Sequence, residues 1–246
     1  MKADPQAQLR LLDLQAIDTA LAQLAHRRRT LPEHAELDAL GRELSALEDE
    51  RIRAQVAVDD LDRDIARLER DIDQVRARKD KDEARLTLGS GPARELEALQ
   101  HEMVSLKRRQ DELEEAELEL MEQRETAQAT LDEILTRITA GRQRREEVER
   151  RRDEQLAEIS REEEFRTGAR RPLAADLPAD LVALYEKVRE TSGGLAAALV
   201  RGGRCGGCRL ELSGSERVRV KSAAADEVVR CDECRRIMVR TAESGL

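Results

Sequence analysis

Aromatic side chains are almost absent from this chain: its 246 residues include one Phe, one Tyr and no Trp. A compact core of this length normally uses more aromatic volume. Apolar runs are short as well, and none approaches the roughly 18 residues of a membrane-spanning helix. The first residues also lack the apolar stretch of a signal peptide. These absences argue against one large globular core, a membrane span and secretion, and we expect a cytoplasmic location.

Charged residues, in contrast, make up 39% of the chain, with a formal net charge of −9. A composition rich in Ala, Leu, Glu and Arg and poor in aromatics is typical of long paired helices. Disorder is the alternative for so much charge, but the apolar residues are too regularly spaced for it. The acidic balance excludes non-specific attraction of the whole chain to nucleic acid.

Apolar residues recur at alternating spacings of three and four along two long stretches. The first stretch runs from Leu37 to Val75 and is broken only by Arg51, whereas the second, from Leu96 to Val148, has several polar interruptions. This is the heptad period of a coiled coil. A shorter run opens the chain and comprises Leu14, Ile17, Leu21, Leu24 and Leu31.

Residues 87–92 separate the two long stretches and contain Gly89, Gly91 and Pro92. Such residues end one helix and begin the next, with Ser90 or Gly91 as the N-cap. We therefore predict a hairpin of two antiparallel helices over residues 1–165, in which residue i faces about residue 178 − i. Pairing between two chains to give a dimer is the alternative, and the short loop favours the hairpin.

The segment 166–194 is expected to be a helical linker. Gly168 and Pro172 are residues that break helices, so we expect the return helix to end there. A short helix should follow over residues 179–189. Phe165 and Tyr185, the two aromatic residues, are expected to pack this linker against the base of the hairpin.

The four cysteines form two Cys-x-x-Cys pairs near the C-terminus, Cys205 with Cys208 and Cys231 with Cys234, with 22 residues between the pairs. This spacing supplies two thiolates from each of two tight turns and is typical of a structural zinc site with four cysteine ligands. Disulfides are the alternative, which a cytoplasmic location disfavours. Four cysteines would close the coordination shell, so we expect one structural Zn²⁺ and no catalytic metal.

Short apolar segments flank both pairs at residues 195–200, 228–229 and 237–239. Strands at these places, with the two turns between them, predict a small zinc ribbon over residues 195–246. A module of this size needs its metal as part of the core. Residues 214–221 are compatible with a helix or a loop. The predicted fold class is thus mainly α: a long antiparallel coiled-coil hairpin followed by a small C-terminal β zinc ribbon.

Basic residues concentrate in this C-terminal module, where residues 199–246 carry ten Lys or Arg and seven Asp or Glu. Such a cluster is a candidate surface for phosphate groups or for another partner. A solvated surface of mixed charge is the alternative, and the module lacks the aromatic residues that usually stack on single-stranded bases. The candidate surface comprises Arg201, Arg204, Arg209, Arg217, Arg219, Lys221, Arg230, Arg235, Arg236 and Arg240.

Three stretches resemble a known family: residues 93–102, residues 184–189 with the following Gly193 and Gly194, and the cysteine module through residue 238. They are similar to the bacterial zinc-ribbon proteins with an N-terminal coiled-coil hairpin. The chain departs from the pattern at Arg235, where a glycine is expected, and at Val239, where a tyrosine is common.

The resemblance implies a non-enzymatic binding protein. Some relatives resemble chaperones or adaptors of flagellar or secretion systems that contact an alternative sigma factor or an export ATPase, and some look like RNA binders. Residue by residue, only the four cysteines carry over.

Two functions remain open from the residues themselves. One is an adaptor or chaperone-like scaffold that binds a protein through the hairpin. The other is a regulator that binds RNA or DNA through the basic ribbon, with the hairpin as a docking arm for protein. An enzyme is not expected, because the sequence has no nucleophile elbow, phosphate loop or His–carboxylate constellation and so no sign of a small-molecule substrate. No membrane partner is expected either.

Overall fold

The computed structural model describes residues 1–89 and 91–246, and it is 78% helical. The predicted mainly-α class is confirmed. The possible N-cap at Ser90 lies outside the described residues. The helices are α1 (Pro5–Arg29), α2 (Pro32–Leu88), α3 (Ala93–Ala175), α4 (Ala179–Thr191) and α5 (Gly214–Ser222). The strands are β1 (Ala197–Arg201), β2 (Arg204–Cys205), β3 (Val229–Arg230) and β4 (Ile237–Val239), and a 3₁₀ turn follows at Ala242–Ser244.

The contacts of the chain group it into two compact units. One is continuous and spans Ala35–Glu149; the other joins Met1–His34 to Arg150–Leu246. The second unit therefore combines α1, the end of α3, α4 and the ribbon. The division into domains 1–165, 166–194 and 195–246 stays a prediction. In the described parts of the chain, no helix is long and apolar enough to cross a membrane.

The continuous unit is the helical hairpin that the heptads predict. Its buried apolar side chains all lie at predicted seam positions, because a period of 3.5 residues keeps those side chains facing the partner helix. They are Leu40, Leu47, Val58 and Ile72 from α2, and Leu99, Leu113, Leu131, Ile134, Ile138 and Val148 from α3. The intramolecular hairpin is thereby confirmed.

The pairing of the two arms differs from the predicted 178 − i. Ion pairs across this unit join Arg78 to Glu102 at 2.7 Å and Arg142 to Glu48 at 2.8 Å, so the two residue numbers of a pair add up to 180 in the first case and to 190 in the second. Side chains on a helix lean toward its N-terminus. In antiparallel helices this lean shifts a contact by about one residue on each arm. The turn contributes as well, because α2 ends at Leu88 and α3 begins at Ala93, whose numbers add up to 181.

The return helix does not end at residues 168–172, so that prediction is wrong. Helix α3 runs through Gly168 and includes Pro172 in its last turn. Proline here removes the N–H that would bond to the Gly168 carbonyl, and its ring crowds that carbonyl, so the helix continues through this position at a cost in stability. The neighbouring Leu173 and Ala174 also pack against the apolar core of this unit, which holds the last turn in place.

Tyr185 is fully buried, as predicted, but Phe165 is 69% exposed. The placement of Phe165 in a core was therefore wrong, because its position on α3 faces solvent, with the Arg166 guanidinium 6.0 Å from the ring centre. The core instead uses α1, α4, β1 and β4, through residues such as Leu11, Leu181 and Ile237.

A buried polar network crosses this core. The Asp18 carboxylate accepts hydrogen bonds from Arg170 Nε at 2.6 Å and from the Tyr185 hydroxyl at 2.7 Å. Gln15 Oε1 accepts from the backbone N–H of Ala196 at 2.6 Å. Burial, together with the Asp18 hydrogen bond, raises the pKa of Tyr185. The network thus joins α1, α3 and α4 to the first strand of the ribbon.

The ribbon is a four-stranded sheet in the order β2-β1-β4-β3. Strands β1 and β4 pair in parallel, with Ala198 opposite Met238, and the other pairs are antiparallel. The strands predicted around the two cysteine pairs are confirmed. The undecided segment 214–221 is helix α5, whose N-cap Ser213 accepts a hydrogen bond from the Glu216 N–H at 3.2 Å. The Ser-x-x-Glu pattern was a signal for this helix.

Candidate zinc centre and the basic surface around it

The four cysteines converge on one point. Their Sγ atoms all lie within 4.8 Å of one another, with Cys205 and Cys234 at 3.8 Å and Cys208 and Cys231 at 3.9 Å. Four sulfurs around a tetrahedral zinc, each about 2.3 Å from it, would lie about 3.8 Å apart. None of the four is in a disulfide. The donor set and its spacing therefore fit a zinc ion.

Each Cys-x-x-Cys pair forms the same turn. The N–H of Arg209 donates to the Cys205 carbonyl at 2.7 Å, and the N–H of Arg235 donates to the Cys231 carbonyl at 2.9 Å. Arg209 and Arg235 also share a left-handed backbone, with φ of 65° and 61°. Both occupy the position after the second cysteine, where glycine would be relaxed. The departure of Arg235 from the family pattern thus leaves the turn intact and strains the backbone.

The turns aim backbone donors at the sulfurs. Burial raises the pKa of the Cys205 thiol, while the N–H groups of Gly207 and Cys208 lower it in part. Burial raises the pKa of the Cys231 thiol as well. At Cys234, burial is outweighed by hydrogen bonds from the Arg236 N–H and the neighbouring thiols, so its pKa is lowered. Buried thiols of this kind favour the thiolate only beside a cation.

Gly206 is required by a close approach of two chain segments. Its N–H donates to the Leu199 carbonyl at 2.9 Å, and a Cβ at this position would lie 2.5 Å from the same oxygen. No heavier residue fits without moving β1. The first turn is therefore fastened to the strand that enters it.

Helix α5 supports the second turn. Glu216 is 3% exposed, and its carboxylate accepts the Asp232 N–H at 2.8 Å. Arg219 reaches the Asp232 carboxylate at 2.8 Å. These contacts were not predicted from the sequence, because the segment 214–221 had no assigned structure there.

Six of the ten basic residues of the candidate surface are engaged within the ribbon. Arg201, Arg217 and Arg219 form ion pairs with carboxylates. Arg230 Nε donates to the Arg235 carbonyl at 2.7 Å, and Arg236 donates to the carbonyls of Leu195 and Ser192 at 2.8 and 2.9 Å. Arg240 donates to five carbonyls, those of Val220, Ala223, Ala224, Ala225 and Glu227. Arg236 and Arg240 in particular hold the ribbon together.

The other four, Arg204, Arg209, Lys221 and Arg235, are exposed. Their side chains have no ion pair or hydrogen bond within the part of the chain that the structure describes. They are the members of the candidate surface whose charge is not paired within the described residues.

Two families of known proteins match the chain. A CT398-like coiled coil hairpin domain matches residues 14–193, and a C4-type zinc ribbon domain matches residues 204–238. An uncharacterized protein of Mycobacterium tuberculosis is 40% identical over 240 residues, which cover 98% of each chain.

Solved structures agree with these matches. A protein from Mycobacterium smegmatis is 37% identical, with a TM-score of 0.88, and the match covers 98% of this chain and 100% of the other. The structure of CT398 from Chlamydia trachomatis is 18% identical, with a TM-score of 0.68, over 96% and 98% of the two chains, and shows the same fold.

Proposed function

The chain belongs to the CT398-like coiled coil hairpin family and carries a C4-type zinc ribbon, and we propose that it is a non-enzymatic adaptor that binds a protein through the hairpin. The observation that carries the proposal is the apolar surface on α2 and α3. The hairpin buries its heptad seam, yet Ile52, Val56, Val104, Leu118 and Met121 remain exposed outside it. Apolar side chains left in water on a highly charged rod are candidate contacts for another protein.

The zinc ribbon is a structural module of this adaptor, and its fold depends on the metal. Cys205, Cys208, Cys231 and Cys234 would hold one structural Zn²⁺, which would offset the charge of the buried thiolates and cross-link the two turns. The four thiolates leave no position for water or substrate, which supports a structural rather than a catalytic role. A reducing compartment such as the cytoplasm would keep the cysteines available for the metal.

Photo-crosslinking of the full-length, zinc-loaded protein tests the proposal. A photoreactive amino acid at Ile52, Val104 or Leu118 on the hairpin, or at Lys221 on the ribbon, is irradiated in native lysate, and half of each sample is treated with nuclease. We expect nuclease-resistant protein adducts from at least one of the three hairpin positions. If none of the three yields a protein adduct, the hairpin is not the binding arm and the adaptor function is wrong.

Binding of RNA or DNA by the ribbon is the second candidate. It is favoured by Arg204, Arg209, Lys221 and Arg235, whose exposed charges have no partner among the described residues. Two of them sit at equivalent places in the two turns, where an arginine is strained and a glycine would not be. Nuclease-sensitive adducts at position 221 would support this function.

Charge-removing variants test it further. Arg209→Gln with Arg235→Gln should weaken nucleic-acid binding and flatten its salt dependence by about one phosphate contact each. Arg236 and Arg240 are unsuitable for this test, because their loss would leave ribbon carbonyls unpaired. Unchanged binding in the double variant would contradict a role for these arginines.

A further inference from the structure

One part of α3 combines exposed apolar side chains with a high density of negative charge. Leu118 and Met121 are 62% and 46% exposed and lie one turn apart, so they share a face of the helix. Residues 111–125 contain eight Asp or Glu and one basic residue, Arg124. We call Leu118, Met121 and the glutamates around them the acidic apolar face.

The glutamates of this face surround the apolar pair. Glu115 and Glu122 lie three and four residues from Leu118, and Glu117 and Glu125 lie four residues from Met121, so each neighbours the pair on the helix surface. Within the described residues none of these four carboxylates is in an ion pair; Glu117 attracts Arg76 of the opposite arm at longer range, whereas Glu115, Glu122 and Glu125 have no such partner. The one cation of the stretch, Arg124, is directed to Asp62 on the opposite arm, 3.0 Å away.

The fold itself does not use this face. The seam on the other side of α3 buries Leu113 and Leu131, so the hairpin is already packed without Leu118 and Met121. An apolar pair surrounded by glutamates is complementary to an apolar stripe that has Lys or Arg on both sides, because the apolar parts can pack together and the flanking charges attract. A cationic amphipathic helix has that pattern, since its apolar residues repeat every three and four positions.

We infer that the acidic apolar face of α3 is the docking surface of the hairpin for a cationic amphipathic helix of a partner protein. This inference rests on the proposed adaptor function and adds to it the place and the chemistry of binding. The apolar pair supplies the buried contact, and the glutamates orient the partner and accelerate its approach.

The chain offers a matched control on the same helix. Val104 is 72% exposed, comparable to Leu118, but its neighbours one turn away include Lys107 and Arg108. A cationic partner should therefore use Leu118 and avoid Val104. If binding depended only on the burial of apolar surface, substitutions at Leu118 and at Val104 would weaken it equally.

The test uses the full-length, zinc-loaded protein and two synthetic helices of about 18 residues, or five turns. One helix carries a leucine stripe flanked by lysines, and the other has the same stripe flanked by glutamates. Binding is followed by fluorescence anisotropy at low and at physiological salt. We expect the lysine helix to bind and the glutamate helix not to bind.

Variants then locate the contact. Leu118→Ala should weaken the lysine helix about tenfold, the effect of a large apolar side chain lost from a contact. Val104→Ala should leave it unchanged. The triple variant E115Q/E122Q/E125Q should weaken it at low salt and lose most of that effect at physiological salt, because exposed charges are screened. Far-UV circular dichroism of each variant confirms that the hairpin is intact.

Three outcomes would overturn the inference: equal binding of the two helices, equal effects at positions 118 and 104, or no effect of the triple variant at low salt. The adaptor function fails separately, since it is judged by protein adducts in lysate. Adducts formed without these helix-binding differences would keep the adaptor and remove this docking surface.

Discussion

Asp18 is the buried anion of the unit that joins Met1–His34 to Arg150–Leu246, and its replacement by asparagine should strongly destabilise that unit. Its side chain is 1% exposed and faces Arg170 at 2.6 Å, Arg189 at 3.7 Å and the Tyr185 hydroxyl at 2.7 Å. Asn keeps the shape but places an uncharged amide against two guanidinium groups. Breaking a buried ion pair on one side costs about 3–5 kcal/mol. Arg170 keeps Glu186 as a second partner, so we expect about 3 kcal/mol.

Tyr185 supplies a local probe for this experiment. It is the single tyrosine of a chain without tryptophan, and it touches Asp18 directly. Urea unfolding followed by tyrosine fluorescence therefore reports the unit that contains Asp18. The free energy of unfolding of the Asp18→Asn variant should be well below that of the unchanged protein.

Asp62→Asn is the matched control. Asp62 also pairs with an arginine at 3.0 Å, but its side chain is 51% exposed, and exposed pairs contribute about 0–1 kcal/mol. The Asp62→Asn variant should therefore unfold at the same urea concentration as the unchanged protein when unfolding is followed by tyrosine fluorescence. A loss at Asp18 no larger than the loss at Asp62 would refute the view that the buried network stabilises this unit. A double-mutant cycle with Tyr185→Phe, read by circular dichroism, should show coupling of about 0.5–3 kcal/mol.

Three further predictions concern the ribbon. Gly206→Ala should sharply weaken zinc binding in a chelator competition, because its Cβ would lie 2.5 Å from the Leu199 carbonyl oxygen, whereas Gly214→Ala, with open space around it, should not. Arg209→Gly and Arg235→Gly should each stabilise the zinc-loaded ribbon by up to about 1 kcal/mol, because glycine adopts the left-handed backbone without strain. Arg204, the control, has an ordinary backbone, so Arg204→Gly should not stabilise the ribbon. A loss of stability in the variants at positions 209 and 235 would contradict the strain argument. Removal of the metal by a strong chelator should change the Tyr185 fluorescence. It should reduce the helical circular dichroism by no more than the share of α1, α4 and α5, the helices that pack against the ribbon or belong to it. A collapse of the whole helical signal would contradict the separate stability of the hairpin.

The seam and the cysteine cluster could be predicted because each follows a local rule. A heptad seam requires only that apolar residues such as Leu47 and Ile134 follow one another at spacings of three and four. A Cys-x-x-Cys pair places two sulfurs on one turn. The pairing offset, two residues at Arg78–Glu102 and twelve at Arg142–Glu48, was not available from spacing, since it depends on where the turn begins and ends and on the direction in which long side chains lean.

The polar network at the base was missed for a different reason. Gln15, Asp18 and Arg170 look like residues of a solvated helix face, and of the apolar run that opens the chain only Leu14 is among the buried residues of α1. The buried face of α1 contains Gln15 and Asp18 together with Leu11 and Leu14. Partners more than 150 residues away in sequence make that burial favourable, and no local pattern shows them.

The basic surface shows a third kind of limit. Counting arginines treats Arg240 and Arg209 alike, yet one guanidinium is saturated by carbonyl groups and the other has no partner among the described residues. A count of basic residues includes the arginines that bond to the protein itself as well as the free ones. It therefore overstated the number of positive charges available to bind phosphate.

The discontinuity of the second unit has a consequence for synthesis of the chain. Ala35–Glu149 is continuous, and its contacts form as soon as α3 folds back on α2, so the hairpin can form while translation proceeds. Residues 1–34 must wait, because the strands they pack against come from residues 197–239. Until then Leu11 and Leu14 have no cover, and the nascent N-terminal helix presents an apolar stripe to the cell. We expect ribosome-bound chains in which residue 149 has just left the exit tunnel to expose this helix to protease while the hairpin is protected.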